Sequence, residues 1–243
     1  MVLLKEDKKL EIIKQIKDGK SLGEIIRLTK ARKTTIYYYM KKIRGKRHLP
    51  VKINSKDREL VGEIIGVFAG DGYYANDKKR WDRRIKIFFN AKEIPVIDYY
   101  RKAFKKISGK KPNVFRSNSV TIIQIHSGDF CNFILSYVAF GKRKVQTIEL
   151  RDKSLLSNIL FTKGFLRGLI DSDGYIRKGR KEIYYGSISK NLFDDFIQGL
   201  ELFNFNYKTY LQKRKNCSDF YKVRLSGDEV DKFVNIIKPA KRL

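Results

Sequence analysis

The sequence predicts an α+β protein in which a duplicated half-domain with antiparallel sheets follows a small all-α unit. Three observations carry this. Residues 10–44 place apolar side chains at helical spacing, interrupted by turn residues. Two glycine-spaced helical stretches recur 102 positions apart. Strand-like runs of alternating polarity follow each of them.

The bulk composition narrows the partners first. In 243 residues there are 54 Lys plus Arg against 26 Asp plus Glu, a net charge of +28. Hydrophobic residues make up 42%, which suits a packed protein and excludes a basic disordered tail. A compact body with this charge repels itself unless a polyanion neutralises it, and nucleic acid does so by releasing counterions. A merely lysine-rich surface from an AT-rich or heat-adapted genome normally balances Lys with Glu. Only Cys131, Cys217, His48 and His126 offer soft or imidazole ligands, in no metal-binding spacing. That argues against a structural zinc site and against a histidine-based nuclease or protease. Free thiols, an early charged N-terminus and no apolar run near the length of a membrane span point to a soluble, intracellular protein with no membrane partner. The expected compartment is the cytoplasm (with the nucleoid in a prokaryote) or an organelle.

The first unit is expected over residues 1–50. Leu10, Ile12, Ile13 and Ile16 repeat until Asp18 and Gly19 end a helix. Ser21 and Glu24 form a capping-box pattern before Leu22, Ile25, Ile26 and Leu28. A third helix from about Lys33 to Arg44 carries Ile36, Tyr39, Met40 and Ile43 as its apolar stripe. The short turn before it and its polar, basic remainder resemble a helix-turn-helix, whose last helix would read a major groove with Arg32, Lys33, Thr34 and Tyr38. The basic stretch ending at Pro50 marks the boundary.

The repeat carries the chemistry. Leu60–Tyr73 and Thr162–Tyr175 superpose Gly62 on Gly164, Gly66 on Gly168, Gly70 on Ser172, Asp71 on Asp173 and Gly72 on Gly174. Residues 62, 66 and 70 are four apart, so they bare one helical face, as do 164, 168 and 172. Glycine inside a helix costs about 1 kcal/mol against alanine, a cost repeated on one stripe only where two backbones must come close. Packing the bare faces together carries Asp71 and Asp173 to the same end of the pair. Gly72 and Gly174 are expected to end the helices in the left-handed conformation. Two converging carboxylates repel unless a divalent cation lies between them, and oxygen ligands without His or Cys suit Mg²⁺ or Mn²⁺.

The stretch LRGLIDSDG at Leu166–Gly174 resembles the signature of the LAGLIDADG homing endonucleases, and IIGVFAGDG at Ile64–Gly72 is a looser second copy. The resemblance runs over roughly residues 57–243. It implies a pseudo-twofold, single-chain enzyme that works as a monomer: a duplicated αββαββα fold with saddle-shaped antiparallel sheets, halves at 51–150 and 151–243. It also implies metal ligation by Asp71 and Asp173, double-stranded DNA as substrate, and cleavage across the minor groove with short 3′ overhangs. Asp171 matches the signature too, but its counterpart is Ala69, so it is read as a capping or packing residue. The family places a lysine beside each active centre: Lys144 in the first half, Lys238 or Lys241 in the second, with Lys241 taken as the catalytic partner. Asn90 or Ser189 is the expected polar residue positioning a water.

The flanking chain fits the template twice. Strands at 73–75, 84–89, 113–115 and 120–126 alternate with helices at 95–107 and 129–140, and strands at 175–177, 183–189, 207–214 and 220–225 with helices at 192–203 and 229–237. Ile85, Ile87 and Phe89 would face the helices. Arg84, Lys86, Lys208, Tyr210, Gln212, Arg214, Lys222 and Arg224 would face a DNA groove, most of them touching phosphates. Two rival readings use the same scaffold: a DNA-binding regulator that no longer cuts, and an intron RNA maturase. With no Cys or Ser opening the chain and no His-Asn pair closing it, a protein-splicing origin is not expected.

Overall fold

The computed structural model describes residues 6–44, 53–77, 82–213 and 218–241; Arg214, one of the candidate groove residues, falls outside them. The chain divides into two compact units, Met1–Pro50 and Val51–Leu243.

The first unit holds α1 (Glu6–Lys17), α2 (Leu22–Thr29) and α3 (Lys33–Arg44) around buried Ile12, Ile16, Ile25, Ala31 and Ile36. The capping box at α2 is formed: the Ser21 hydroxyl accepts from Glu24 N, and Ser21 N donates to Glu24 Oε2 at 2.7 Å. Leu10, Leu28 and Ile43, placed in apolar stripes by periodicity, are exposed. Three helices of 12, 8 and 12 residues enclose a core too small to cover every apolar position.

The second unit repeats one path. α4 (Arg58–Asp71), β1 (Gly72–Asp77), β2 (Asp82–Asn90), α5 (Ile94–Ser108), β3 (Asn113–Ser117), β4 (Val120–His126) and α6 (Gly128–Tyr137) form the first half. A connector follows with β5 (Val138–Ala139), α7 (Lys144–Thr147) and β6 (Glu149–Leu150). The second half runs α8 (Ile159–Asp173), β7 (Tyr175–Arg177), β8 (Glu182–Ser187), α9 (Lys190–Leu202), β9 (Lys208–Gln212), β10 (Phe220–Ser226) and α10 (Asp228–Ile237). Two antiparallel sheets result, ordered β1-β2-β4-β3 and β7-β8-β10-β9, so the duplication extends to strand order. Period-2 alternation puts Ile85, Ile87, Phe89, Ile123 and Ile125 of one sheet, and Ile183, Tyr185, Val223 and Leu225 of the other, into a common core.

The helix expected to reach Phe140 stops at Tyr137. Val138 instead pairs with Leu150 in the connector's two-stranded ladder, which then buries both side chains.

At the centre, α4 and α8 meet backbone to backbone. A Cβ added to Gly62 would lie 2.0 Å from the Phe161 carbonyl oxygen; one on Gly164 would lie 1.9 Å from that of Glu59. Gly66 and Gly168 are as tight, at 2.3 Å from the carbonyl oxygens of Phe165 and Glu63. Gly70 faces Ser172, 2.1 Å from its hydroxyl oxygen. Side chains are thereby excluded between the helices at the four glycine positions, and only the small Ser172 hydroxyl enters the contact at its last turn. The buried Arg167 ties the pair to the C-terminal helix: it bonds Glu59, Glu63 Oε2 at 3.1 Å and the Ile237 carbonyl at 2.7 Å. Gly72 and Gly174 do not take the left-handed cap conformation. Both are extended, at φ −83°, and continue into β1 and toward β7. Glycine is required there because a Cβ would strike the Phe68 and Ile170 carbonyl oxygens, at 2.3 and 2.5 Å.

Candidate active site

Because α4 and α8 run side by side, their last residues, Asp71 and Asp173, arrive at one end of the contact. The Asp173 carboxylate reaches over the last turn of α4: its Oδ2 lies 2.8 Å from where a Cβ on Gly70 would sit. Asp71 is half-buried. Burial pushes its carboxyl up to about 6, the Asp173 charge adds to this, and Lys241 and Lys144 oppose it. Desolvation drives Asp173 the same way, against Lys144 and Lys241, although this carboxylate opens to solvent and the penalty is blunted.

The two lysines occupy matching places. Lys144 Nζ donates to the carbonyls of Ala69 at 2.7 Å and Gly70 at 2.8 Å; Lys241 Nζ donates to the carbonyl of Ser172 at 3.0 Å. Gly70 and Ser172 are equivalent residues of the repeat. Each lysine thus satisfies orphan carbonyls at a helix C-terminus, where positive charge is favoured, and lies within electrostatic reach of Asp71. Lys144 also sits 5.2 Å from the Phe68 ring centre, and burial lowers its ammonium to about 8.

Two more acids complete the centre: Asp171, expected to cap or pack, and Glu93, which the sequence did not single out. Asp171 is fully buried and accepts from Tyr100 Oη (2.9 Å), Ala240 N (3.0 Å) and Lys241 N (2.9 Å). It therefore fixes the backbone that delivers Lys241, a positioning role whose partners lie 69–71 residues away and leave no local signal. Glu93 approaches Lys241 Nζ at 3.6 Å and raises Asp71. Its place just before α5, at the helix N-cap, is the only sequence cue. Asp171→Ala strands three donors and is expected to cost about 2–4 kcal/mol. Urea denaturation should show the loss, and amide exchange at Ala240 and Lys241 should rise ahead of that in α4 and α8.

Ser189 cannot position a water. It is buried as the N-cap of α9, its hydroxyl accepting from Leu192 N and donating to the Ile148 carbonyl at 2.7 Å. Asn90 is exposed and its Oδ1 accepts from Lys92 N in the turn after β2. Lys238 caps α10 in the left-handed conformation.

Both sheets start at the acid end, since β1 follows Asp71 and β7 follows Gly174. Arg84 and Lys86 point away from the core on β2, with Tyr73 and Gln124 flanking Lys86 in register. Lys208, Tyr210 and Gln212 pair with Arg224, Lys222 and Phe220, sharing one face of the second sheet. In the first unit Arg32, Lys33, Thr34 and Tyr38 are exposed.

Residues 161–238 match the family model described as a LAGLIDADG-like domain. The chain carries a LAGLIDADG-like domain. The LAGLIDADG fold of the second unit is shared with solved structures. The homing endonuclease I-DmoI, solved with DNA and Mn, aligns at TM-score 0.56 and 14% identity over 74% of this chain and 96% of its own. The N-terminal LAGLIDADG domain of DUF199/WhiA aligns at TM-score 0.50 and 15% identity over 74% and 83%. Over 180 residues the chain is 23% identical to a glutamine–fructose-6-phosphate aminotransferase (isomerizing) of Methanocaldococcus jannaschii. That stretch is 73% of this chain and 16% of the aminotransferase, so the chain spans about a sixth of that relative.

A divalent cation suits the donors of this centre. Three acids, Asp71, Asp173 and Glu93, against two lysines, Lys144 and Lys241, leave one net negative charge among hard oxygen atoms. Among the described residues no group of three or more His, Cys, Asp or Glu is placed to hold a metal ion, so the donors here are an acid pair. An acid pair is the open kind of site Mg²⁺ favours, because that ion keeps waters and takes substrate phosphate oxygens. I-DmoI has been solved with Mn, Mg and Ca.

Proposed function

We propose that this protein is a site-specific, divalent-metal-dependent endodeoxyribonuclease of the homing type. The observation that carries it is the convergence of Asp71 and Asp173 over a paired lysine floor, between two sheets with basic outer faces. Arg84, Lys86, Lys208, Tyr210, Gln212, Lys222 and Arg224 bind the duplex, and Arg214 is assigned with them from the sequence alone. Phosphate contacts set the register and a few side chains read bases. The first unit binds DNA in its own right through Arg32, Lys33, Thr34 and Tyr38. Asp71 and Asp173 hold the metal. When bound, Mg²⁺ or Mn²⁺ supplies Lewis-acid charge at the scissile phosphate and its attacking water. Lys144 and Lys241 hold the helix-end carbonyls, keep the acids oriented and place positive charge where the phosphate gains negative charge.

The acids must be ionised to serve as ligands, and the metal-free Asp71 titrates near 6. Cleavage under subsaturating Mg²⁺ is therefore expected to fall as pH drops through about 6 and to recover as Mg²⁺ is raised. A pH profile at two Mg²⁺ concentrations checks this; a flat profile from pH 5 to 8 contradicts it.

The function is tested by selecting bound duplexes from a random library in EDTA, cloning one into a plasmid and adding Mg²⁺. Linearisation at the selected site is the expected result. The regulator reading draws its support from the exposed basic α3 face, and it predicts the same selection with an uncut plasmid. Preference for intron RNA over every duplex would overturn both.

A further inference from the structure

The outer faces of the two sheets differ in chemistry, although their strand order is the same. In the first sheet, register places Phe88, Ile122 and Phe115 side by side across β2, β4 and β3. Their neighbours Ile87, Phe89 and Ile123 are buried in the core, so the row points the opposite way, and Phe115 is 50% exposed. This apolar row runs next to the Tyr73–Lys86–Gln124–Asn113 row, one pleat toward Arg84. An apolar strip on a cationic sheet fits a partner that is anionic yet offers methyl groups between its charges.

The corresponding face of the second sheet has one phenylalanine, Phe220 beside Gly186 and Lys222, and is otherwise lined by polar, charged and tyrosine side chains. Glu182, 8% exposed, faces Arg177 and Arg224, each 3.6 Å away, and accepts from Tyr184 Oη at 3.1 Å. Arg177 and Glu182 are register partners, as are Tyr184 and Arg224, so the carboxylate braces one arginine on each side strand. A braced guanidinium presents a fixed fork of donors to the groove.

We propose that the two half-sites differ in base composition. The Phe88–Ile122–Phe115 row reads thymine methyl groups in the half-site under the first sheet; Arg177 and Arg224, braced by Glu182, read guanine in the other. In the major groove only thymine carries a 5-methyl group, and guanine O6 and N7 accept a guanidinium bidentately. The inference rests on the DNA reading above.

The test starts from duplexes selected in EDTA and measures affinity after single-atom changes in one half-site at a time. Uracil for thymine removes only the methyl; 7-deazaguanine removes only the N7 acceptor. Uracil is expected to weaken binding about 3-fold per contacted methyl under the first sheet and to change little under the second. 7-Deazaguanine should do the reverse, by about 10-fold per contacted base. Phe115→Ala, a change at a half-exposed position, should leave wild-type and uracil duplexes equal in affinity at that step. Glu182→Gln should lower the guanine penalty while retaining uracil sensitivity. Failure to enrich any duplex overturns the DNA reading and this inference together. Enriched sites whose halves respond alike to uracil and to 7-deazaguanine overturn the asymmetry alone.

Discussion

Gly164→Ala is expected to destabilise the LAGLIDADG unit by about 3 kcal/mol or more, the upper end of overpacking costs. The added methyl would lie 1.9 Å from the Glu59 carbonyl oxygen and 2.8 Å from Glu63 N, and both are backbone atoms of a buried helix. A flexible side chain could swing aside; a hydrogen-bonded helix has to translate as a body. Gly62→Ala meets the same obstacle from the other side, at Phe161. For a unit of this size about 3 kcal/mol corresponds to roughly 10 °C in the melting midpoint. Gly23 is the internal control: it lies within α2, and a Cβ there meets nothing within 4 Å. Gly23→Ala should stabilise the first unit by up to about 1 kcal/mol through helix propensity. Urea denaturation of the three variants checks the contrast, and equal midpoints for Gly164→Ala and wild type would contradict close helix contact.

The second large effect separates stability from chemistry. Asp71→Asn and Asp173→Asn are each expected to lower single-turnover cleavage by about 10³-fold or more, since electrostatic groups of this kind supply several kcal/mol to a transition state. Equilibrium binding of the selected duplex without metal should hold or tighten, because each change removes a negative charge facing the DNA. Asp71→Asn should also raise the metal-free stability at neutral pH. The sign follows from the raised carboxyl: the folded state holds its proton up to about 6 while the unfolded chain releases it near 3.8. Folding is therefore penalised progressively as pH rises across that interval, by at most about 3 kcal/mol, and fully so above it. Asparagine escapes the penalty, so its advantage should vanish below pH 4. A variant both inactive and less stable at pH 7 would mean that Asp71 is chiefly a structural residue.

Much of the fold is legible in the sequence because the two halves state the same periods twice. The alternation of Ile85, Ile87 and Phe89, and the spacing of Gly62, Gly66 and Gly70, each have one physical reading. The short elements of the connector are silent in this respect. β5, α7 and β6 carry no period of their own, and they form because the chain between the halves must pair with something while passing α9, where Leu150 N donates to Asp195 at 3.1 Å. Gly72 and Gly174 resemble ordinary helix caps in isolation; the need for glycine comes instead from chain reversal against their own helix's carbonyls. In the candidate site, Lys144 was reachable only through the family template, because one lysine among so many has no distinguishing neighbour. Asp171 is legible as a capping or packing residue because its counterpart in the first copy is Ala69, but its partners Ala240 and Lys241, far along the chain, leave no local signal. Ser189 misled because a buried cap and a water-binding hydroxyl look alike in sequence, although serine three residues before Leu192 is a cap pattern.

The most direct measurement is anomalous X-ray scattering from crystals of the protein bound to its selected duplex in Mn²⁺. An anomalous peak contacted by the carboxylates of both Asp71 and Asp173 is expected, and its loss in the Asp71→Asn, Asp173→Asn double variant. Bound DNA with no manganese at this pair, or with manganese coordinated elsewhere while cleavage proceeds, would contradict it.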